Sequence, residues 1–346
     1  MKLLISALEH SANIHLSYLL KELGTDVQLS GIFDASLGES IVDLRATSIM
    51  GFVDALKKLP FFFRLKKQMT EMAGDADKVL LIDSSGFNLP LAKAIRKRYP
   101  DKEIVYYILP QAWAWKKKRI PVLEQTISRL ASILPFEPDY YSATAPIEYV
   151  GHPLLDEITL QKSDLSPSGK ITFMPGSRPG EIRSLMPVFK ELRKKLSAEA
   201  LLVIPPHYDD TKIAELYGDI SDFRIVHNAH ETLASSDFAF ICSGTATLEA
   251  ALIGTPFILA YIAKPLDYAI AKRLVKLEFV GLANILFSYR YQRPLHPEFL
   301  QDAVNAENLY NTYTKMDKEK FFNDARKLRE LLDHGSAKRV SEIIKE

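Results

Sequence analysis

One cysteine, Cys242, stands alone in 346 residues, so no internal disulfide can form and an oxidising compartment is not expected. Neither sign of charge is in excess. The 44 Lys and Arg face 43 Asp and Glu, a net charge of +1, which argues against a nucleic-acid partner held by overall charge. Metal motifs are missing too: the eight His are scattered, with no HExxH, no Cys pair and no DxD after a strand, so neither metal nor cofactor is expected. GxGxxG and P-loop patterns are also absent. MKLLISALEH is too short an apolar stretch before Glu9 for a signal peptide, and a cytoplasmic chain is expected. From Phe238 to Ala263 the sole charge is Glu249, the length of a roughly 20-residue membrane span. That stretch is cut by Ser243, Gly244 and Thr245 and again by Gly254, Thr255 and Pro256, so it reads as strand, turn, helix, turn, strand.

What remains is an average globular composition, 47% hydrophobic and 25% charged, which excludes disordered, collagen-like and coiled-coil chains. The length suggests two domains. Continuous apolar runs recur at Lys2 to Ala7, Val79 to Asp83, Ile104 to Leu109, Ser132 to Phe136, Ile171 to Pro175, Leu201 to Pro205, Phe223 to His227, Phe238 to Cys242 and FILAYI. Such runs fit parallel strands covered on both faces. Amphipathic segments such as Leu89 to Arg98 and Leu185 to Leu196 lie between them, which predicts an α/β chain of doubly wound parallel sheets. The polar stretch from Lys162 to Lys170 reads as a linker. The expected division is 1–165, 166–317 and a C-terminal helix over 318–346 docking across a domain interface.

Ligands of open α/β sheets bind beyond the carboxyl ends of strands. In FMPGSRPGEI, Gly176, Ser177 and Arg178 follow a strand and precede a helix, an arrangement suited to phosphate; an ordinary βα loop is the alternative. In CSGTATLEAALIGTP, Ser243, Gly244, Thr245, Ala246 and Thr247 offer small residues and hydroxyls, and Thr245 is expected to cap a helix with Glu249 in its first turn or so. A carboxylate suits a ribose diol, although these residues could simply start a helix. In LLIDSSGFN, Asp83 ends a strand where a general base would stand, or caps the next helix.

Two stretches join aromatics to cations. Ser48 to Gln68 holds Met50, Phe52, Val53, Leu56, Phe61, Phe62 and Phe63 beside Arg64, Lys66 and Lys67, and resembles an interfacial membrane segment; a core helix with a basic face is the alternative. WAWKKKR sets Trp113 and Trp115 beside Lys116 and three further cations, which suits a membrane boundary or an anionic substrate. A nucleotide-diphosphate site in a two-domain chain without metal or dinucleotide motif points to a glycosyltransferase of the GT-B type, two Rossmann-like domains facing a cleft.

Eight blocks in order, SIMGFVDALKKLPFFFR, LLIDSSGFN, YYILPQAWAWKKKRI, ILPFEPDYY, YVGHPLLDE, FMPGSRPGEI, SDFAFICSGTATLEAALIGTPFILAYIAKP and AKRLVKLEFVGLANIL, resemble the lipid-A-disaccharide synthase family. The first loop departs: the family usually has GEASGD where this chain reads LEHSAN, Leu8 to Asn13. The resemblance implies an inverting, metal-independent transfer from UDP-2,3-diacylglucosamine to 2,3-diacylglucosamine 1-phosphate. It implies an acceptor- and membrane-facing N-terminal domain, a UDP-binding C-terminal domain and a peripheral place on the cytoplasmic face of the inner membrane. A second copy of the chain is held as a candidate partner. Asp83 is then the expected base, Arg178 and the Ser243–Thr245 loop the diphosphate site, and Glu249 the ribose ligand. Asn284 in GLANIL is expected to orient sugar or phosphate, and Glu9, His10, Ser11 and His152 stand as further candidates. Rival readings are another UDP-sugar enzyme of this architecture, such as a UDP-N-acetylglucosamine 2-epimerase or a peptidoglycan-type transferase, and a non-enzymatic sugar- or lipid-binding protein.

Overall fold

The structure, a computed structural model, describes residues 1–42, 59–264 and 278–346. Met50, Phe52, Val53 and Leu56 lie outside the described residues. The chain forms two units, Met1–Glu157 with Asp333–Glu346, and Ile158–Leu332.

In the first unit the chain runs β1 (Lys2–Ser6), α1 (His10–Leu23), β2 (Gln28–Ile32), α2 (Leu59–Met72), β3 (Lys78–Ile82), α3 (Ser85–Arg98), β4 (Glu103–Tyr107), α4 (Ile120–Thr126), β5 (Arg129–Ser132), β6 (Ile147–Tyr149) and α5 (Pro153–Glu157). Its six strands are parallel and ordered β2-β1-β3-β4-β5-β6. Alternate residues feed opposite faces: Leu4, Val79 and Leu81 join one apolar layer, while Leu3, Ile5, Leu80 and Ile82 join the other. Both faces being covered, the strand must be apolar throughout, and that is why these runs are continuous.

The second unit continues with β7 (Lys170–Met174), α6 (Pro179–Arg193), β8 (Glu199–Val203), α7 (Asp210–Tyr217), β9 (Arg224–Val226), α8 (Ala229–Ala234), β10 (Phe238–Cys242), α9 (Thr245–Ile253), β11 (Phe257–Tyr261), α10 (Leu282–Tyr291), β12 (Glu298–Leu300), α11 (Ala306–Lys315) and α12 (Lys318–Leu331). Its strands are also parallel, ordered β12-β11-β10-β7-β8-β9. Phe173 packs against Phe240 and Phe189 at ring-centroid distances of 5.4 and 5.3 Å in its core.

Three expectations change. Ser132 to Phe136 is not a strand: β5 ends at Ser132, whose hydroxyl donates to buried Glu137 (2.5 Å) and accepts the Leu134 N–H (3.2 Å), closing a turn. The polar stretch after Gln161 is pinned to the second unit, so the boundary falls at Glu157. Lys162 donates to the carbonyls of Ala234 and Ser236, and the Asp237 carboxylate accepts the N–H groups of Ser168 and Gly169. The final segment is two helices, α12 and α13 (Ser336–Lys345), interrupted at Leu332–Gly335. α13 belongs to the first unit, where Asp156 accepts the N–H groups of Gly335 and Ala337 at its N-terminus. No helix among the described residues is long and apolar enough to cross a membrane.

Candidate active site

In each sheet the strand order reverses once, between β1 and β3 and between β7 and β10. Successive crossovers leave such a point on opposite faces, which opens a crevice at the strands' carboxyl ends. Asp83, Glu9, Gly176 to Arg178 and Ser243 to Thr245 lie at these two points.

At the first reversal, β3 is followed by Asp83 and Ser84, two consecutive non-glycine residues in the left-handed region, at φ +50° and +43°. Each costs about 1–3 kcal/mol of backbone strain, so the turn must be held from outside. Asn88, fully buried on α3, holds it: its amide donates to the carbonyls of Asp83 (2.9 Å) and Ile82 (3.1 Å) and accepts the Ser6 hydroxyl (2.6 Å) from β1. Tyr106 donates its hydroxyl to the Asp83 carbonyl at 2.7 Å. Burial raises the Asp83 carboxyl above the usual carboxylate range, partly opposed by the Ser84 N–H and the charge of His15. Across the reversal, Ser84 donates to Glu9 at 3.5 Å. Glu9 and His10 are exposed where α1 begins, and Ser11 is half-buried one residue on. Arg119 reaches the Ser85 hydroxyl at 3.2 Å.

His152 does not reach this turn. It is buried, its Nδ1 accepts the Leu154 N–H at 3.3 Å, and burial pushes it down to about 3, with the charge of His15 as the second cause. A histidine so enclosed stays neutral and does not meet substrate, so it is removed from the candidate bases.

At the second reversal the loops after β7 and β10 touch. Gly176 has φ +100°, and a Cβ there would sit 2.4 Å from Glu181 Oε2 and 3.2 Å from Cys242 Sγ, so only glycine fits. Ser177 and Arg178 follow, both exposed, and the Arg178 side chain keeps 81% of its exposure. The Arg178 N–H donates to Glu181 at 3.2 Å and its guanidinium pairs with the same carboxylate at 3.4 Å, and Tyr208 donates to the Ser177 carbonyl at 2.8 Å, which fixes the loop. Burial, with Glu181 as the second cause, pushes the Cys242 thiol up to about 12, so Cys242 packs as an apolar residue.

The next helix differs from expectation in its cap. Gly244, at φ +151°, is the N-cap of α9 and Thr245 its first residue, so Glu249 sits in the second turn. There it pairs with His230 of α8 at 3.4 Å. Ser243, Gly244, Thr245 and Ala246 reach the surface, whereas Thr247 is buried and donates its hydroxyl back to the Gly244 carbonyl at 2.8 Å. Asn284 also belongs to the interior. It donates to the His296 carbonyl and Glu298 and accepts the N–H groups of Leu295 and His296, which uses its whole amide. Nothing is left for sugar or phosphate.

Of the aromatic and basic segments, Phe61 and Phe62 pack against the core while Phe63 is 62% exposed, with Arg64 and Lys67 exposed beside it and Lys66 over its ring at 5.2 Å. Trp113 is buried against Phe136 at 4.9 Å, so it is a core residue; Trp115 is 44% exposed with Lys116 above it at 3.9 Å.

The model of the family described as lipid-A-disaccharide synthetase matches residues 3–343. The chain belongs to the lipid-A-disaccharide synthase family. It is 46% identical to the lipid-A-disaccharide synthase of Helicobacter pylori strain J99 over 98% of this chain and 97% of that one. It is equally identical to that of Campylobacter jejuni strain RM1221 over 99% of each. As a member it is a glycosyltransferase that forms the lipid A disaccharide. Among solved structures it resembles MurG of Acinetobacter baumannii (TM-score 0.59, 14% identity, 99% of each chain). It also resembles the UDP-GlcNAc 2-epimerase of Neisseria meningitidis bound to UDP-GlcNAc (TM-score 0.62, 12% identity, 100% of each chain). These likenesses extend to the fold alone and give the two Rossmann-like units of the GT-B type.

Sequence reasoning gave no role to Asn88, His15, Glu157, Tyr208 or His230. Only His15 left a signal, four residues after Ser11 on the same face of α1. One consequence concerns pH. Unfolded, His152 titrates near 6.5, but folded it resists protonation down to about 3. Between those values the unfolded chain binds the extra proton, so as pH falls the fold loses about 1.4 kcal/mol per unit from this group. Urea unfolding of wild type and His152→Gln across that window is expected to show wild type losing stability relative to the variant with that slope. A pH-independent difference refutes the buried neutral histidine.

Proposed function

We propose that the chain transfers the sugar of UDP-2,3-diacylglucosamine to the 6-hydroxyl of 2,3-diacylglucosamine 1-phosphate, giving a β-1,6 disaccharide 1-phosphate and UDP. The observation that carries this reading is the placement of Asp83 at one strand-order reversal and of the Gly176–Arg178 and Ser243–Thr245 loops at the other. Asp83 takes the proton of the acceptor hydroxyl as its oxygen attacks the anomeric carbon, and the bond to UDP breaks with its electrons on the diphosphate. A carboxyl raised by burial is the stronger base for this, closer to the pH at which it works. The exposed Arg178, released from Glu181, the Ser177 hydroxyl and the amides at the start of α9 meet the diphosphate charge, which is stabilised most as it develops. Glu249, oriented by His230, accepts the ribose hydroxyls.

The acylated substrates reach this site from a lipid surface. Phe63 with Arg64, Lys66 and Lys67, and Trp115 with Lys116, offer exposed rings flanked by cations, a pattern that suits the boundary of an anionic membrane. This supports a peripheral place on the cytoplasmic face of the inner membrane. Trp113, Phe61 and Phe62 support that surface from inside.

Three measurements test these roles. Asp83→Asn is expected to lower kcat by about 10²–10⁴-fold with the melting transition retained; turnover near wild type removes Asp83 as the base. Arg178→Ala is expected to weaken UDP binding by about 1.5–3 kcal/mol in titration calorimetry, and unchanged affinity and rate sink the diphosphate assignment. A Phe63→Ser, Trp115→Ser double variant is expected to lose co-sedimentation with anionic liposomes while keeping its fold, since both rings are already in water. Undiminished binding rejects the surface named here.

A further inference from the structure

The Asp83 turn has two unlike flanks. On one, Ser84 donates to Glu9; on the other, Arg119 donates through Nη1 to the hydroxyl of Ser85 at 3.2 Å. Ser85 stands two residues after Asp83, so their Cα atoms lie no more than about 7 Å apart. Arg119 is half-buried, whereas Lys116, Lys117 and Lys118 before it are exposed. Its N–H donates to the Lys116 carbonyl at 2.8 Å, and buried Ile120 carries the chain on into α4. The last residue of α4, Thr126, accepts from Arg96 of α3 at 3.0 Å. The guanidinium is thus placed by the same helix, α3, that begins at the turn.

Among the described residues Arg119 is in no ion pair, so most of its N–H groups are left for a ligand, and the Ser85 hydroxyl that accepts from it keeps its own hydrogen to donate. Next to Ser85, Gly86 is exposed, and a Cβ there would meet no atom within 4 Å, so the ground beside the pair is open. On the outer side, the exposed ring of Trp115 lies 5.9 Å from the Arg119 guanidinium and 3.9 Å from Lys116. A continuous track therefore runs from a ring suited to a lipid boundary to the reacting turn.

The acceptor brings an anion of its own. It is a single sugar with the reacting hydroxyl at one end and a phosphomonoester at the other, and such a group carries about −1.5 to −2 charges near neutral pH. With the hydroxyl at Asp83, the phosphate comes to rest within the length of one hexose. Glu9 disfavours one flank, and an unscreened phosphate would oppose the ionised Asp83 that has to act as base. A guanidinium on the other flank answers both, and its planar fork matches phosphate oxygens. We propose that Arg119, with the Ser85 hydroxyl, is the site of the acceptor's 1-phosphate and fixes which end of the sugar meets the donor. The inference rests on the reading of Asp83 as base.

The test is titration of the acylated monosaccharide, with and without its 1-phosphate, into the enzyme in neutral detergent micelles, with UDP present so that no transfer takes place. Wild type is expected to bind the phosphorylated form more tightly. Arg119→Ala is expected to weaken that form about 10–150-fold, as for a lost charged hydrogen bond, and to leave the form without phosphate near wild type. Arg119→Lys keeps the charge without the fork and falls between. The KM for UDP-diacylglucosamine stays near wild type in both. Should Arg119→Ala fail to melt as wild type does, Arg119→Lys and Ser85→Ala give the same comparison. Equal binding of the two forms by wild type, or an equal loss of both in a folded Arg119 variant, overturns the proposal. A guanidinium that serves lipid headgroups shows as lost co-sedimentation with anionic liposomes and an unchanged preference between the two forms in micelles, which overturns it too. An active Asp83→Asn removes the base and this inference with it. An inactive Asp83→Asn, beside an Arg119→Ala that binds both forms as wild type does, removes the phosphate site alone.

Discussion

The arrangement depends on one constraint of parallel sheets, the point at which strand order turns back on itself. Right-handed crossovers force the helices on either side of that point to opposite faces, so no helix covers the carboxyl ends of the two central strands. Loops that emerge there are free to meet a ligand, and their backbone is correspondingly unusual. Asp83 and Ser84 take left-handed conformations, as does Gly176. The strain at Asp83 is sustained because Asn88 ties the turn to the buried end of β1, so the core of the unit positions the carboxylate.

The two reversals carry opposite chemistry. The first sets the partly buried carboxyl of Asp83 across from Glu9, in surroundings that raise it above the usual carboxylate range. The second offers an exposed guanidinium, hydroxyls and the amides at the start of α9, with Glu181 accepting from the N–H and the guanidinium of Arg178 and Glu249 paired with His230. On the proposed reading, proton removal and charge acceptance fall to separate units. The near balance of 44 against 43 charges concealed this division, because it averages over groups whose placement decides their effect.

Interior strands were legible because coverage on both faces forces a continuous apolar run. The strands that escaped notice were β2, β6 and β12, each at a sheet edge with only partial cover, where QLSGI, IEY and EFL lack such a run, and β5, whose place was given to the run beginning where it ends. Among the candidate residues, Asp83, Arg178 and the Ser243–Thr245 loop stood out because each lies in a loop that follows a strand. Asn284 and Thr247 matched their motifs equally well, yet their polar groups are consumed inside the fold. Sequence records a residue's chemistry, whereas hydrogen-bond saturation is a property of three-dimensional neighbours. The hydrogen bond between His15 and Glu157 stayed hidden for the same reason: 142 residues separate them, and neither is unusual alone.

The divergent first loop follows from the same logic. Where the family usually has the closing Asp of GEASGD, this chain has Asn13, which is buried and donates to the carbonyls of Ala7 (2.9 Å) and Glu9 (2.8 Å) while accepting the Asp34 N–H at 2.6 Å. A carboxylate could accept from Asp34 but could not donate to either carbonyl. The amide therefore closes the turn between β1 and α1 from both sides and keeps a further negative charge away from Glu9 and Asp83. That side chain sets the path of the loop and with it the start of α1, whose Glu9 accepts from Ser84 of the Asp83 turn.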